Sequence, residues 1–461
     1  MNPLPPGPAK FSWVDFVRAG LLDPIPTMDR FVAEYGDTIR FPSPNGLITV
    51  TSNVEAIRAI YTAEPDTFDA WGGAVGEPVF GTTGLVVTAG ARHRRDRKLL
   101  TPPFNATTMR AYGHAIVEAT RSEAARLVSG RRFSALQVTQ DIALEVIIRV
   151  VFGVEGADRV AQVRAAVLEL IESLNPVLFL FPKLRRPLAG VGPWARNRRA
   201  VKALDALLRE EIRARRAGAD ERQDILALML RARYDDGTAM EEPAILDQLR
   251  TLLFAGHETT AVALAWTLYW LHREPQTLAR ALDEIDALGP DPDPNEVAAL
   301  PYLDAACCEG LRLDPPVADT GRQTRAPFDM AGFTIPAGEG IGPSPMMLHR
   351  REDIYPEPER FRPERFLERK FSPFEYIPFG GGSRRCLGAA FAMYEMKIVL
   401  GTFLRENRLQ IAPGTRAPVH ARRGLTLGPR GGVPMILERR RGAPIRAPRG
   451  RPGPALKGSR P

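Results

Sequence analysis

The residue with the most suggestive surroundings is Cys386. It follows Phe379-Gly380-Gly381-Gly382-Ser383-Arg384-Arg385 and precedes Leu387-Gly388. Three glycines without Cβ atoms let the backbone turn tightly and approach a flat ligand closely. The next segment, Ala389–Leu404, is apolar and helix-forming. Cys386 is therefore expected at a helix start, where partial positive charge favours a thiolate. Arg384 and Arg385 add positive charge nearby. Such a turn suits a single sulfur ligand to an iron atom.

A second group of chemical side chains is Ala255-Gly256-His257-Glu258-Thr259-Thr260, in the middle of an apolar stretch. An acid and two hydroxyls inside an apolar helix are costly without partners or a task. Glu258 and Thr259 are an acid and an alcohol side by side, a pair suited to relaying protons. A third group is His93-Arg94-Arg95-Asp96-Arg97. His93 and Arg97 are four residues apart and share a helical face, where two donors can hold a carboxylate.

The elements that must carry these groups are mostly helices. Pro243 suits a first helical turn and Pro275 sets the far limit. The helix predicted between Pro243 and His272 would span roughly 45 Å. Glu309 and Arg312 share a face of a helix ending before Pro315, three residues apart. Strands are expected at Asp37–Phe41 and Leu47–Thr51, joined through Asn45-Gly46, and at Phe328–Ile335 and Gly340–Ser344. Residues 11–35 read as two helical pieces broken by Pro24 and Pro26. Residues 63–90 read as a loop. Leu178 to Pro187 reads as a mobile lid between arginine-rich amphipathic helices.

Composition narrows the class. The chain has 461 residues, 44% of them hydrophobic, as in a folded globular protein. Three cysteines, Cys307, Cys308 and Cys386, exclude a disulfide framework and suggest a reducing compartment. The net charge is +8, and residues 439–461 alone hold eight Lys/Arg and no acid, so the rest is close to neutral. That Pro/Gly-rich tail is expected to be disordered. No nucleic-acid partner is expected, because no basic face with interleaved aromatics is evident. No apolar run reaches the roughly 20 residues of a membrane span, and no signal peptide is read at the start. A cytoplasmic protein is expected.

The pattern Phe379-x-x-Gly382-x-Arg384-x-Cys386-x-Gly388 resembles the haem-binding loop of the cytochrome P450 family. Three further stretches resemble family motifs in the expected order: His93 to Arg97, Ala255 to Thr260, and Glu309-x-x-Arg312. The resemblance implies a mainly α cytochrome P450 fold with small β-sheets. It implies a proline-rich arm at 1–10, one monooxygenase domain at 11–438 and the tail at 439–461. It implies haem b held through iron by Cys386, with Phe379, Arg384 and Gly388 around it. His93, Arg97 and Arg322 are implied as clamps on its propionates. Glu258 and Thr259 are implied as proton carriers. Glu309, Arg312 and Arg365 are implied as a buried network behind the cysteine loop.

The implied reaction is hydroxylation or epoxidation of a hydrophobic small molecule with O2 and two electrons from outside. A fatty acid, terpenoid, steroid or polyketide would suit it. The electrons would come from a ferredoxin and its reductase, since no flavin or iron–sulfur segment is evident in the chain. A peroxide-driven or isomerising haem enzyme is the alternative; the acid–alcohol pair favours use of O2.

Overall fold

The computed structural model describes every residue except 1, 9, 11, 13–14, 16–21, 44, 175–184, 187–189, 218–221, 424 and 442–461. The lid expected between Leu178 and Pro187 lies mostly outside the described residues. So do most of the first helical piece and the tail beyond Arg441.

Helices dominate the described chain. It opens with α1 (Ile25–Tyr35), the strands β1 (Thr38–Ser43) and β2 (Gly46–Thr51), then α2 (Val54–Thr62). Pro26 lies in the first turn of α1, so the second of the two expected helical pieces starts at Pro24 and Pro26. The stretch 63–90 is more regular than a loop. It contains β3 (Phe68–Ala70) and α3 (Gly73–Phe80), before α4 (Gly90–Leu100). The periodicity of this segment is weak because glycines and Pro78 interrupt it. Tertiary contacts supply the order: the Phe80 and Phe254 rings meet edge to face, 6.1 Å between centroids.

The middle of the chain is α5 (Gly113–Ala125), β4 (Arg132–Ser134), α6 (Ala135–Val146), α7 (Ala157–Glu172), α8 (Pro193–Ala217) and α9 (Ile225–Arg231). Next comes α10 (Glu242–Arg273), close to the expected bounds. It is buried on nearly every side over Ala261–Leu271, as expected of a helix apolar all round. The helices α11 (Pro275–Asp286) and α12 (Pro301–Leu313) follow, then β5 (Arg322–Thr324), β6 (Phe328–Met330), β7 (Phe333–Ile335) and β8 (Gly340–Pro343). After the cysteine loop come α13 (Ala389–Glu406), β9 (Asn407–Ile411), β10 (His420–Arg423), β11 (Thr426–Pro429) and β12 (Pro434–Arg440).

One sheet has the order β1-β2-β8-β5-β3, with β2 and β8 parallel and the other pairs antiparallel. The proline arm lies against it and against the separate β6-β7 pair: the Arg40 N–H donates to Pro6 O (2.9 Å) and the Thr334 N–H to Pro3 O (3.1 Å). A second sheet, β4-β12-β9, includes Arg439 and Arg440. Folded structure therefore continues past residue 438, and Arg441 pairs with Asp286. The largest apolar core lies between α5, α6, α10, α12 and α13. Where α6 meets α10 it widens into a π turn at Ile147–Val151. A Cβ on Gly256 would stand 3.2 Å from Ile147 Cδ1. Gly256 thus lets these helices approach.

Candidate active site

The glycine turn is built against α2. Gly380 and Gly382 both have φ +63°, a backbone region that favours glycine. Gly381 is extended, but a Cβ there would stand 2.2 Å from the Tyr61 ring. The Cys386 N–H closes the loop on Phe379 O at 2.8 Å. Phe379 and Leu387 pack half-buried on the main core. Gly388 precedes α13, and a Cβ on it would meet nothing within 4 Å.

Cys386 keeps accessible surface, yet protein surrounds it closely enough for burial to push its thiol up. Both hold for a sulfur on the wall of an internal space. The Gly388 N–H, Arg97 and Arg385 pull the other way and lose. The expected helix-stabilised thiolate is thus not what the polypeptide alone favours, because desolvation of the charge outweighs these attractions. A coordinated metal ion reverses that balance, since a ligating thiol is deprotonated.

Four donors gather around the loop that carries this sulfur. In α4, Arg94 and Arg95 turn outward to Asp66 and Asp236, at 2.5 and 3.0 Å. His93 and Arg97 turn inward, and neither side chain has a hydrogen-bond partner among the described residues. Burial, with Arg384 and Arg97 nearby, pushes His93 down to about 4. Burial and then Arg322 push Arg384 down to about 10, and burial lowers Arg97 and Arg322 as well. Arg384 donates to Thr88 O, and Arg322 donates to Gly381 O at 2.8 Å. Arg322 also lies over the Tyr61 ring, 5.1 Å from its centroid. The one acid that favours the charge of Arg384, Asp69, is already paired with Arg325 at 2.6 Å. The cluster is short of negative charge, and an anionic group with two carboxylates fits it.

On α10 the acid and the alcohol diverge. The Thr259 hydroxyl donates to Ala255 O at 2.5 Å, the back-bond that bends helices. Ala255 is exposed although it sits mid-helix, and Thr259 is half-buried, so this face borders open space. Glu258 accepts instead from Gln140 Nε2 and Arg423 Nε, each at 2.7 Å. His257 is buried against Gln140 O at 3.1 Å, and burial lowers its pKa.

The buried network is present in full. Arg312 meets both Glu309 oxygens (2.7 and 2.8 Å) and Arg365 Nε meets Oε1 (3.0 Å). The Arg362 N–H adds a fourth bond at 3.0 Å, and Arg312 reaches on to His349 O at 2.8 Å. Sequence reasoning missed a second lock, between α10 and the stretch after α3. Asp247 accepts from the Thr83 N–H (3.0 Å) and hydroxyl (2.7 Å), while Gln248 bonds Leu85 N and Thr83 O. Arg250 braces Asp247 and Asp205. An acid, an amide and an arginine packed into the four residues 247–250, in the second and third turns of the helix, were the available signal.

A sequence model of the family described as Cytochrome P450 matches residues 3–433. The chain belongs to the cytochrome P450 family. Cytochrome P450 138 of Mycobacterium tuberculosis is 34% identical over 449 residues, covering 95% of this chain and 97% of that protein. Cytochrome P450 135B1 of the same organism is 37% identical over 369 residues, covering 79% of this chain and 76% of that protein. A solved structure titled retinoic acid bound cyanobacterial CYP120A1 is similar with TM-score 0.82 and 26% identity, covering 95% of this chain and 99% of that one. The cytochrome P450DA haem domain shares the fold, with TM-score 0.84 at 21% identity. As a P450, the chain is a haem-dependent monooxygenase, an oxidoreductase that uses O2, a small-molecule substrate and electrons from redox partners. Among the described residues no helix is long and apolar enough to cross a membrane.

Proposed function

We propose that this P450 holds haem b through Cys386 and inserts oxygen into a hydrophobic small molecule, with electrons from a ferredoxin and its reductase. The observation that carries the reading is the set of four donors around the loop of an accessible cysteine, with no carboxylate among the described residues hydrogen-bonded to them. His93, Arg97 and Arg384 would hold the two propionates, and Arg322, with one arm on Gly381 O, would brace the same edge. A guanidinium has five N–H donors, so that bond leaves others for the ligand. Phe379, Leu387 and Gly388 would form the flat apolar floor.

Bound haem supplies the redox chemistry and activation of O2. The polypeptide supplies position, protons and exclusion of water. Thr259 presents a hydroxyl on the open face of α10 and can pass a proton while its back-bond to Ala255 O steers it. Glu258, one residue away, would replenish that proton. The lock of Asp247 and Gln248 on residues 83–85 holds one wall of the substrate space still. Fatty acids, terpenoids, steroids and polyketides all match an apolar space. The retinoic acid in the solved relative is an isoprenoid acid, which supports the terpenoid class. Three cysteines without disulfides support work in the cytoplasm.

The deciding experiment is the spectrum of the purified, reduced, carbon monoxide-treated holoprotein. A thiolate-type band that disappears in Cys386→Ser is expected. A parent protein without that band, or a serine variant that keeps it, would overturn the reading. With electrons supplied, Thr259→Ala should divert consumed O2 to hydrogen peroxide; unchanged coupling would remove Thr259 from the proton path.

A further inference from the structure

We infer that His420 is a positioning residue for one wall of the substrate space: bonded to Asp314 and stacked on Trp266, it fixes the β10–β11 hairpin and so sets where Leu425 stands. The inference rests on the reading of the open face of α10 as the border of that space.

The base of the hairpin is held by a buried cluster. Asp314 closes α12, which Pro315 and Pro316 prevent from continuing. Its side chain stays inside, 4% exposed, and each carboxylate oxygen receives a donor. Trp270 Nε1 donates to Oδ2 at 2.5 Å and His420 Nε2 to Oδ1 at 2.6 Å. Hydrogen bonds to an ionised acceptor are stronger than neutral ones. Trp266 and Trp270 are four residues apart on α10 and share a face. The His420 ring lies on Trp266, with centroids 4.8 Å apart, and the Trp270 ring is stacked on Phe361 at 6.0 Å. Phe361 is buried and precedes Arg362, whose N–H bonds Glu309. The base is thereby tied to the scaffold behind the cysteine loop.

The tip is held less firmly. The Leu427 N–H donates to Pro316 O at 2.8 Å. A Cβ at Gly428 would stand 3.2 Å from Val262 Cγ2, so β11 runs against α10. Beyond these anchors Arg423 meets Glu258 at 2.7 Å, a partly exposed pair of the kind that holds weakly. Leu425, two residues on, is 63% exposed. At the end of a hairpin that lies along α10, this bare apolar side chain borders the same space as Ala255 and Thr259. The place of Leu425 therefore depends on the base. Without the His420 N–H, one buried oxygen of Asp314 is left unsatisfied, and β10 loses its side-chain bond to the end of α12.

The test uses holoenzyme and two probes, imidazole and phenylimidazole, which bind haem iron from the open side and shift its absorption. Imidazole is too small to reach the wall, whereas the phenyl ring extends towards it. His420→Phe keeps a ring on Trp266 and loses the bond to Asp314. It should weaken phenylimidazole binding severalfold and leave imidazole affinity, haem content and the carbon monoxide band as in the parent. His420→Gln still offers an N–H and should restore most of the parent affinity. Leu425→Ala, an exposed change, should weaken the same probe, and adding His420→Phe to it should weaken binding little further. A merely structural role for His420 would lower haem content or thermal stability and leave the ratio of the two affinities where it was; that result overturns the inference. If His420→Phe loads no haem, His420→Leu takes its place with the same two outcomes. An unchanged ratio in Leu425→Ala overturns the inference whichever variant loads. A parent without the carbon monoxide band would refute the haem reading itself.

Discussion

Replacing Glu309 with Gln tests the scaffold behind the cysteine loop. The carboxylate is fully buried and receives three bonds from two guanidinium groups and one from a backbone N–H. The amide keeps the size but removes the charge and turns N–H donors toward donors. Two buried cations then lose their shared anion. Breaking a buried ion pair by removing one partner costs about 3–5 kcal/mol, against a total stability of about 5–15 kcal/mol. In a chain this long that corresponds to a fall of about 3–5 °C in the unfolding midpoint. Thermal unfolding and haem content of the holoprotein read the effect. Arg365→Met in the same chain removes one stranded cation, so the double variant should lose less than the two single changes added together. A Glu309→Gln midpoint within about 2 °C of the parent, or strict additivity in the double variant, would refute the claim that this carboxylate neutralises both arginines.

Two further outcomes follow from the packing and from buried histidines. Gly381→Ala puts a Cβ 2.2 Å from the ring of Tyr61, which is itself buried and lies beneath Arg322; overpacking of about 1–3 kcal/mol and weaker haem retention are expected, and Tyr61→Ala in the same chain should relieve both. A Gly381→Ala protein with parental haem content and midpoint would show that the ring yields freely. His349 is fully buried and His272 half-buried, and burial depresses them from 6.5 to about 3 and about 4. The unfolded chain therefore binds these protons first as pH falls. Stability is full above pH 6.5 and declines as pH falls toward 4, by about 2.7 kcal/mol per unit for the two together. Unfolding midpoints at pH 7 and pH 5 check this: His272→Gln should flatten the decline, and equal midpoints in the parent would contradict it.

The local pattern of the chain specified a good deal. The apolar run bounded by Pro243 and Pro275 dictated α10 almost to the residue, because helix length and proline stops are local properties. The i, i+4 spacing in α4 put His93 and Arg97 on one face, and Glu309, Arg312 and Arg365 did meet in the interior. Phe379 to Gly388 identified the cysteine turn for the same reason, since glycine conformations are set residue by residue. What the linear order left open was everything carried by partners distant along the chain. The Glu258 carboxylate is held by residues 118 and 165 positions away. The Asp247 lock on Thr83 spans 164, and order in 63–90 came from contacts with α10, not from its own weak periodicity. Only the fold settled which atoms surround Cys386, and so whether desolvation or nearby positive charge governs its proton. Spacing reports which side chains share a face; the charge and solvent on the far side of that face depend on how the elements pack.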